Sequence, residues 1–138
     1  MQGIGLFTME EFFWGDSDHK WVRPGHMFTK GPGAYKIPAF DDVPTDLRIS
    51  LLKWAANPRA VHSSKAVGEP PLFLGSSVYW AGKRAVQAAR EESGLTEHFF
   101  LDAPATSERL RMACADDITA RFTGGMDGAK KFRALGSW

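Results

Sequence analysis

One cysteine, Cys114, stands in 138 residues, which excludes an internal disulfide framework. It also means that this chain alone cannot hold an iron–sulfur cluster, which needs several thiolates. So few thiols suit a reducing compartment. No charge of one sign dominates either: 17 Lys and Arg face 16 Asp and Glu. Neither a nucleic-acid face nor an acidic tail is therefore suggested. No apolar run approaches membrane-spanning length, and the N-terminus lacks a basic flank followed by an apolar signal core. Internal repeats and low-complexity segments are absent. What remains is a chain with 43% hydrophobic residues, enough for one modest core and little more. These absences together describe a soluble, intracellular piece of globular protein with no nucleic-acid or membrane partner.

From the N-terminus, Ile4, Leu6, Met9 and Phe12 fall at helical spacing, so Met1–Phe13 reads as an amphipathic helix. Gly3 and Gly5 weaken a helix, which suggests that the backbone passes close to something there. They do not begin a dinucleotide fingerprint, because the third glycine position is Thr8. Residues 14–33 are loop-like, with turn clusters at Gly15–Asp18 and Gly31–Gly33. His19 and His26 lie in this loop without a carboxylate or thiol set to complete a metal site, and read as surface histidines. Tyr35–Pro38 is extended, since residues before proline avoid the helical region. Leu47–Leu52 alternates apolar and polar before running apolar, the pattern of a strand.

A carboxylate then sits in an unusual setting. In Lys65-Ala66-Val67-Gly68-Glu69-Pro70-Pro71-Leu72-Phe73-Leu74, Glu69 lies between a glycine and two prolines, at the mouth of what reads as the longest helix. Proline suits the first helical position, where an N–H would have no partner. Exposed N–H groups and the dipole at such a start favour a charged carboxylate. Glu69 can cap its own helix or serve as a base, and physics alone favours the cap. Along the helix, Leu74, Val78, Ala81, Ala85 and Ala88 form one face, and Lys83, Gln87, Arg90 and Glu91 another. The dense small residues, Gly75 among them, allow another backbone to approach closely. Ser93-Gly94 ends the helix. His98–Leu101 reads as a short strand. Thr106 is placed to cap a second helix, Ser107 to about Phe122, with Leu110, Ala113, Cys114, Ile118 and Phe122 as core.

The Lys65–Leu74 decapeptide resembles the segment that carries the catalytic glutamate of the xanthine dehydrogenases. With the aldehyde oxidases, these make up the molybdenum hydroxylases. The likeness continues in the same order elsewhere. It includes Gln2–Glu11, Thr29–Pro32, Tyr35–Phe40, Leu47–Leu52, Asn57–Ala60, Leu101-Asp102, Pro104–Thr106 and Arg111–Cys114. It covers nearly the whole chain and weakens after about Phe122. Glu-Pro-Pro at residues 69–71 resembles xanthine dehydrogenases, whereas aldehyde oxidases carry Glu-Ala-Gly there. Two departures occur. Trp54-Ala55-Ala56 replaces a polar residue, a small residue and proline, and Tyr79-Trp80-Ala81-Gly82 replaces two phenylalanines, alanine and isoleucine.

The resemblance implies an α/β (α+β) fold with two main helices packed on a few short strands. Residues 1–122 would be the C-terminal segment of a molybdopterin-binding domain, and 123–138 a loosely ordered tail. Family proteins continue upstream of the first helix, so Met1 reads as a start inside a domain. The implied chemistry is purine hydroxylation, hypoxanthine and xanthine to urate, with Glu69 as the general base that takes the proton of a molybdenum-bound hydroxide. Gly68 and Val67 would line the pocket, and no residue here would ligate the metal. The complete enzyme would carry the molybdenum–molybdopterin cofactor, [2Fe-2S] clusters and FAD, pass electrons to NAD, and form a homodimer in the cytoplasm, with the peroxisome as the alternative. The partners of this chain would be the purine and the remainder of the enzyme. The alternative reading is a truncated, inert chain with a structural or partner-binding role, or an aldehyde oxidase-like substrate range. In isolation, the fragment is expected to be inactive.

Overall fold

The computed structural model describes residues 1–123, with the side chains of Phe122 and Thr123 left aside. Five helices occur among these residues: α1 (Gln2–Thr8), α2 (Pro70–Gly75), α3 (Ser77–Glu92), α4 (Ser107–Ala113) and α5 (Asp117–Thr123). Short 3-10 turns lie at Phe40–Asp42 and Val61–Ser63. The long helix α3 is the centre, with α1, α2 and α4 each packed against it.

The expected α/β architecture is not formed. Among the described residues the only strand-like features are isolated bridges, Trp14 with Met27 and Gly15 with Pro24. Leu47–Leu52 and His98–Leu101, both expected as strands, have no regular structure. The reason is that a strand is stabilised by its neighbour: alternation gives a face to bury and edges to bond, but no second strand runs beside either segment. Leu51 and Leu52 are correspondingly exposed.

The helices begin and end for identifiable reasons. Thr106 is extended (φ −61°, ψ 161°), and its hydroxyl accepts from the Arg109 N–H at 3.4 Å, capping α4 as its sequence position suggests. Gly94, at φ +78°, follows the C-cap of α3 and takes a conformation that costs glycine little. Two helices expected to be continuous are each broken. The first stops at Gly75 and restarts at Ser77 because Ser76, 8% exposed, turns its hydroxyl onto the Phe73 carbonyl at 2.6 Å. The second breaks between α4 and α5, where Ala115 sits at φ +53°. Asp116 Oδ1 then accepts from the Ile118 and Thr119 N–H groups, at 3.1 and 2.9 Å. The Thr119 N–H first, and a hydrogen bond from the Arg111 guanidinium next, hold the Asp116 carboxyl below its ordinary pKa.

Two further expectations change. The buried stripe of α3 is not Leu74–Val78–Ala81–Ala85–Ala88, since Leu74, Ala81, Ala85 and Ala88 are exposed. The inward stripe runs instead through Ser76, Tyr79, Gly82, Val86 and Arg90. The Tyr79 hydroxyl donates to the Leu101 carbonyl at 2.6 Å, and Arg90 Nη1 to the Ala113 carbonyl at 3.0 Å. Hydrogen bonds thus let polar side chains occupy the side that an apolar count assigns to solvent. Likewise Ile118 is exposed and Cys114 only half-buried. Phe122 as a core side chain, the glycine pair 124–125 as a helix stop and the 124–138 part of the expected loose tail lie outside the description.

His19 is not a surface histidine. It is buried in a small aromatic cluster, with its ring 4.7 Å from that of Phe13, while His26 is exposed as expected. Asp16 Oδ1 accepts from the His19 ring at 2.8 Å and from the N–H groups of Asp18 and His19, both at 2.9 Å. Desolvation opposes the charged Asp16 carboxyl, but the His19 ring and the two backbone donors outweigh it and lower its pKa. Thr29, 2% exposed, closes this cluster by accepting from the Phe13 N–H at 3.0 Å.

Gly82 gives a first test of the packing. A Cβ there would meet Leu110 Cδ2 at 3.2 Å, the far end of a half-buried side chain beside a shallow hollow of about 260 Å³. Leu110 has room to give a few tenths of an ångström, while alanine gains on the order of 1 kcal/mol of helix propensity. Gly82→Ala is expected to raise stability by roughly 0.5–1 kcal/mol, read as a few degrees in the thermal midpoint. A lowered midpoint would mean that Leu110 is locked in place.

Candidate functional site

Glu69 occupies the position before the first residue of α2, and Pro70 and Pro71 open that helix. The placement at a helix start agrees with the sequence, but the helix is α2, six residues long, rather than the longest one. The cap reading fails on geometry. Glu69 has helical dihedrals (φ −85°, ψ −10°), whereas a capping residue is extended so that its side chain can fold back onto the next turn. Thr106 meets that condition and caps; Glu69 does not, and no side-chain bond caps α2. The main chain of Glu69 still starts the helix, its carbonyl accepting from the Leu72 N–H at 2.9 Å. The carboxylate is exposed, and among the described residues it has neither a capping bond nor an ion pair. It is free for other work.

The approach to Glu69 is open. At Gly68 the nearest atom to a Cβ would be Pro70 Cδ at 3.3 Å, so the rest of its surroundings is empty space. Val67 is 87% exposed. Upstream, two bonds within the loop close it: Asn57 Nδ2 donates to the Ser64 carbonyl at 3.1 Å, and Lys65 Nζ to the Ala55 carbonyl at 2.5 Å. Trp54, His62, Ser63 and Ala66 all have φ between 52° and 60°, a region costly for side chains other than glycine. Val67, Gly68 and Glu69 therefore stand together on one exposed turn, joined to the helical core through α2.

Many large apolar side chains of this chain are exposed. Phe40, Leu51, Leu52, Trp54, Val61 and Phe73 are all exposed, Trp54 at 98% and Phe40 at 91%. Scattered apolar residues on a surface are ordinary, but large exposed apolar side chains in such number suit a chain that meets a further surface.

An unengaged carboxylate beside an unobstructed glycine leaves room for a group to be brought against Glu69, Gly68 and Val67. Among the described residues, no three His, Cys, Asp or Glu side chains converge on a metal position.

No protein-family model matches the chain. Individual proteins do, and they are oxidoreductases. The chain is 58% identical to the xanthine dehydrogenase of Oryza sativa subsp. japonica over 122 residues, covering 88% of this chain and 9% of the relative. It is 57% identical over the same length to xanthine dehydrogenase 1 of Arabidopsis thaliana. The xanthine dehydrogenase/oxidase of Gallus gallus matches at 56% over 119 residues, 86% of this chain and 8% of the relative. The chain is thus a homologue of one segment of the xanthine dehydrogenases, spanning about a tenth of their length. No helix among the described residues is long and apolar enough to cross a membrane.

Proposed function

We propose that these residues supply the catalytic base of a xanthine dehydrogenase-like molybdenum hydroxylase acting on purines, with Glu69 as that base. The observation that carries the reading is the Glu69 carboxylate, fixed at a helix start yet used neither as a cap nor in an ion pair. A general base must be free to accept, and must come within hydrogen-bond reach of the proton it takes. The two prolines restrict the backbone on one side of Glu69, which limits the entropy lost on alignment. Gly68 keeps the adjoining surface open, and Val67 adds an apolar edge. When bound, the molybdenum cofactor supplies the oxygen to be transferred and the acceptor for two electrons. The protein's part is to take and later release a proton at the Glu69 carboxylate.

On this reading, residues 1–122 are the C-terminal segment of a molybdopterin-binding domain, and the exposed apolar surface faces the rest of that domain. The remaining domains contribute the [2Fe-2S] clusters, FAD and NAD site, and the homodimer is formed at that level. The isolated 138 residues are expected to show no turnover. Glu-Pro-Pro, where aldehyde oxidases have Glu-Ala-Gly, supports purines over aldehydes.

The test is a chimera in which this chain's residues replace the matched segment of the rice relative. Purine hydroxylation within about tenfold of the rice enzyme is expected. A chimera that binds molybdenum but turns over neither xanthine nor hypoxanthine would sink the proposal and favour the inert alternative.

A further inference from the structure

Glu69 is supported from one side only. Upstream, residues 39–68 are exposed or at most half-buried, so no core among the described residues fixes them. Downstream, α2 meets α1 backbone to backbone. A Cβ built on Gly3 would lie 2.5 Å from Gly75 Cα and 2.9 Å from the Gly75 carbonyl oxygen. One built on Gly75 would lie 2.9 Å from Gly3 Cα. Carbon atoms rest about 3.5–4.0 Å apart, so only a hydrogen fits between the two helices here. The atoms in the way belong to the main chain, and no rotamer change can move them. Around this crossing, the Ala105 N–H donates to the Phe7 carbonyl at 2.7 Å, which ties α1 to the segment before α4.

We propose that Gly3 is a positioning residue for Glu69: its missing side chain sets how closely α2 seats on α1, and thereby where the carboxylate stands. The inference rests on the reading of Glu69 as the base. From Gly75 to Glu69 the chain is a six-residue helix, short and hydrogen-bonded, so a displacement at one end is carried to the other. A methyl group at Gly3 must push the helices apart by on the order of 1 Å, and such a misplacement of a catalytic group can cost about a hundredfold in rate.

Two measurements test this. In the 138-residue chain, Gly3→Ala should accelerate hydrogen exchange of the Leu72 and Ser76 amides at least tenfold. Gly33→Ala, whose Cβ would have no atom within 4 Å, should leave them unchanged. Equal exchange in wild type and Gly3→Ala would overturn the proposal. In the rice chimera, Gly3→Ala should lower kcat per bound molybdenum by 10- to 100-fold. KM should stay within twofold. Unchanged kcat, or a loss of bound metal that accounts for the whole decline, would also overturn it. Full turnover by Glu69→Gln would instead sink the base reading, and the exchange result would stand.

Discussion

Glu69→Gln in the rice chimera is expected to cut kcat by roughly 10²–10⁴-fold, the usual contribution of a positioned general base. Glutamine keeps the length and planarity of the side chain, and the position imposes no hydrogen-bond pattern that the amide would break. Glu69 is exposed at the start of α2, so the substitution leaves no buried group unsatisfied and the fold should be unaffected. Molybdenum content should match that of the parent chimera, because none of the described residues is arranged as a metal ligand set. Loss of rate with KM little changed is the mark of an interaction made in the transition state alone. Retained turnover with metal bound would rule Glu69 out.

Much of this arrangement is legible in the sequence where a residue acts locally. Pro70 and Pro71 open a helix because their rings suit its first turn, Thr106 caps one, and Gly94 ends one. Gly3 and Gly75 signal a close approach, and they meet each other. Features that depend on a distant partner are misread. The alternation of Leu47–Leu52 has no neighbouring strand to meet, so the segment stays irregular. Polar residues on the inner stripe of α3 are acceptable only because Leu101 and Ala113 offer carbonyls, which periodicity does not reveal. Burial of His19 had a local signal in Asp16, three residues earlier and able to accept from both its ring and its N–H. At the site, the sequence places Glu69 at a helix start but does not give its dihedrals, and these decide that the carboxylate is not spent on capping.

Arg109→Met is expected to destabilise the chain by about 2–3 kcal/mol at neutral pH, through the charge it leaves behind. Arg109 Nη2 stands 3.0 Å from Glu11 Oε1, with the two side chains 23% and 19% exposed. Nη1 donates to the Pro104 carbonyl at 2.6 Å, so one guanidinium joins the segment after α1 to the approach to α4. Removing one partner of a fully buried pair typically costs 3–5 kcal/mol, and the remaining exposure reduces that here. Burial already raises the Glu11 carboxyl above its ordinary pKa, with Arg109 lowering it and Glu108 adding to the rise. Without Arg109 it should rise further. A carboxyl whose pKa is higher folded than unfolded binds its proton more tightly in the native state. Its penalty is therefore small below the unfolded value and grows as pH rises through the folded one. The stability gap between wild type and Arg109→Met should widen from about pH 4 to pH 7, as measured by urea unfolding at each pH. A gap independent of pH would assign the loss to the Pro104 bond alone. Adding Glu11→Leu to Arg109→Met should recover part of the loss, because the unpaired carboxylate goes with it.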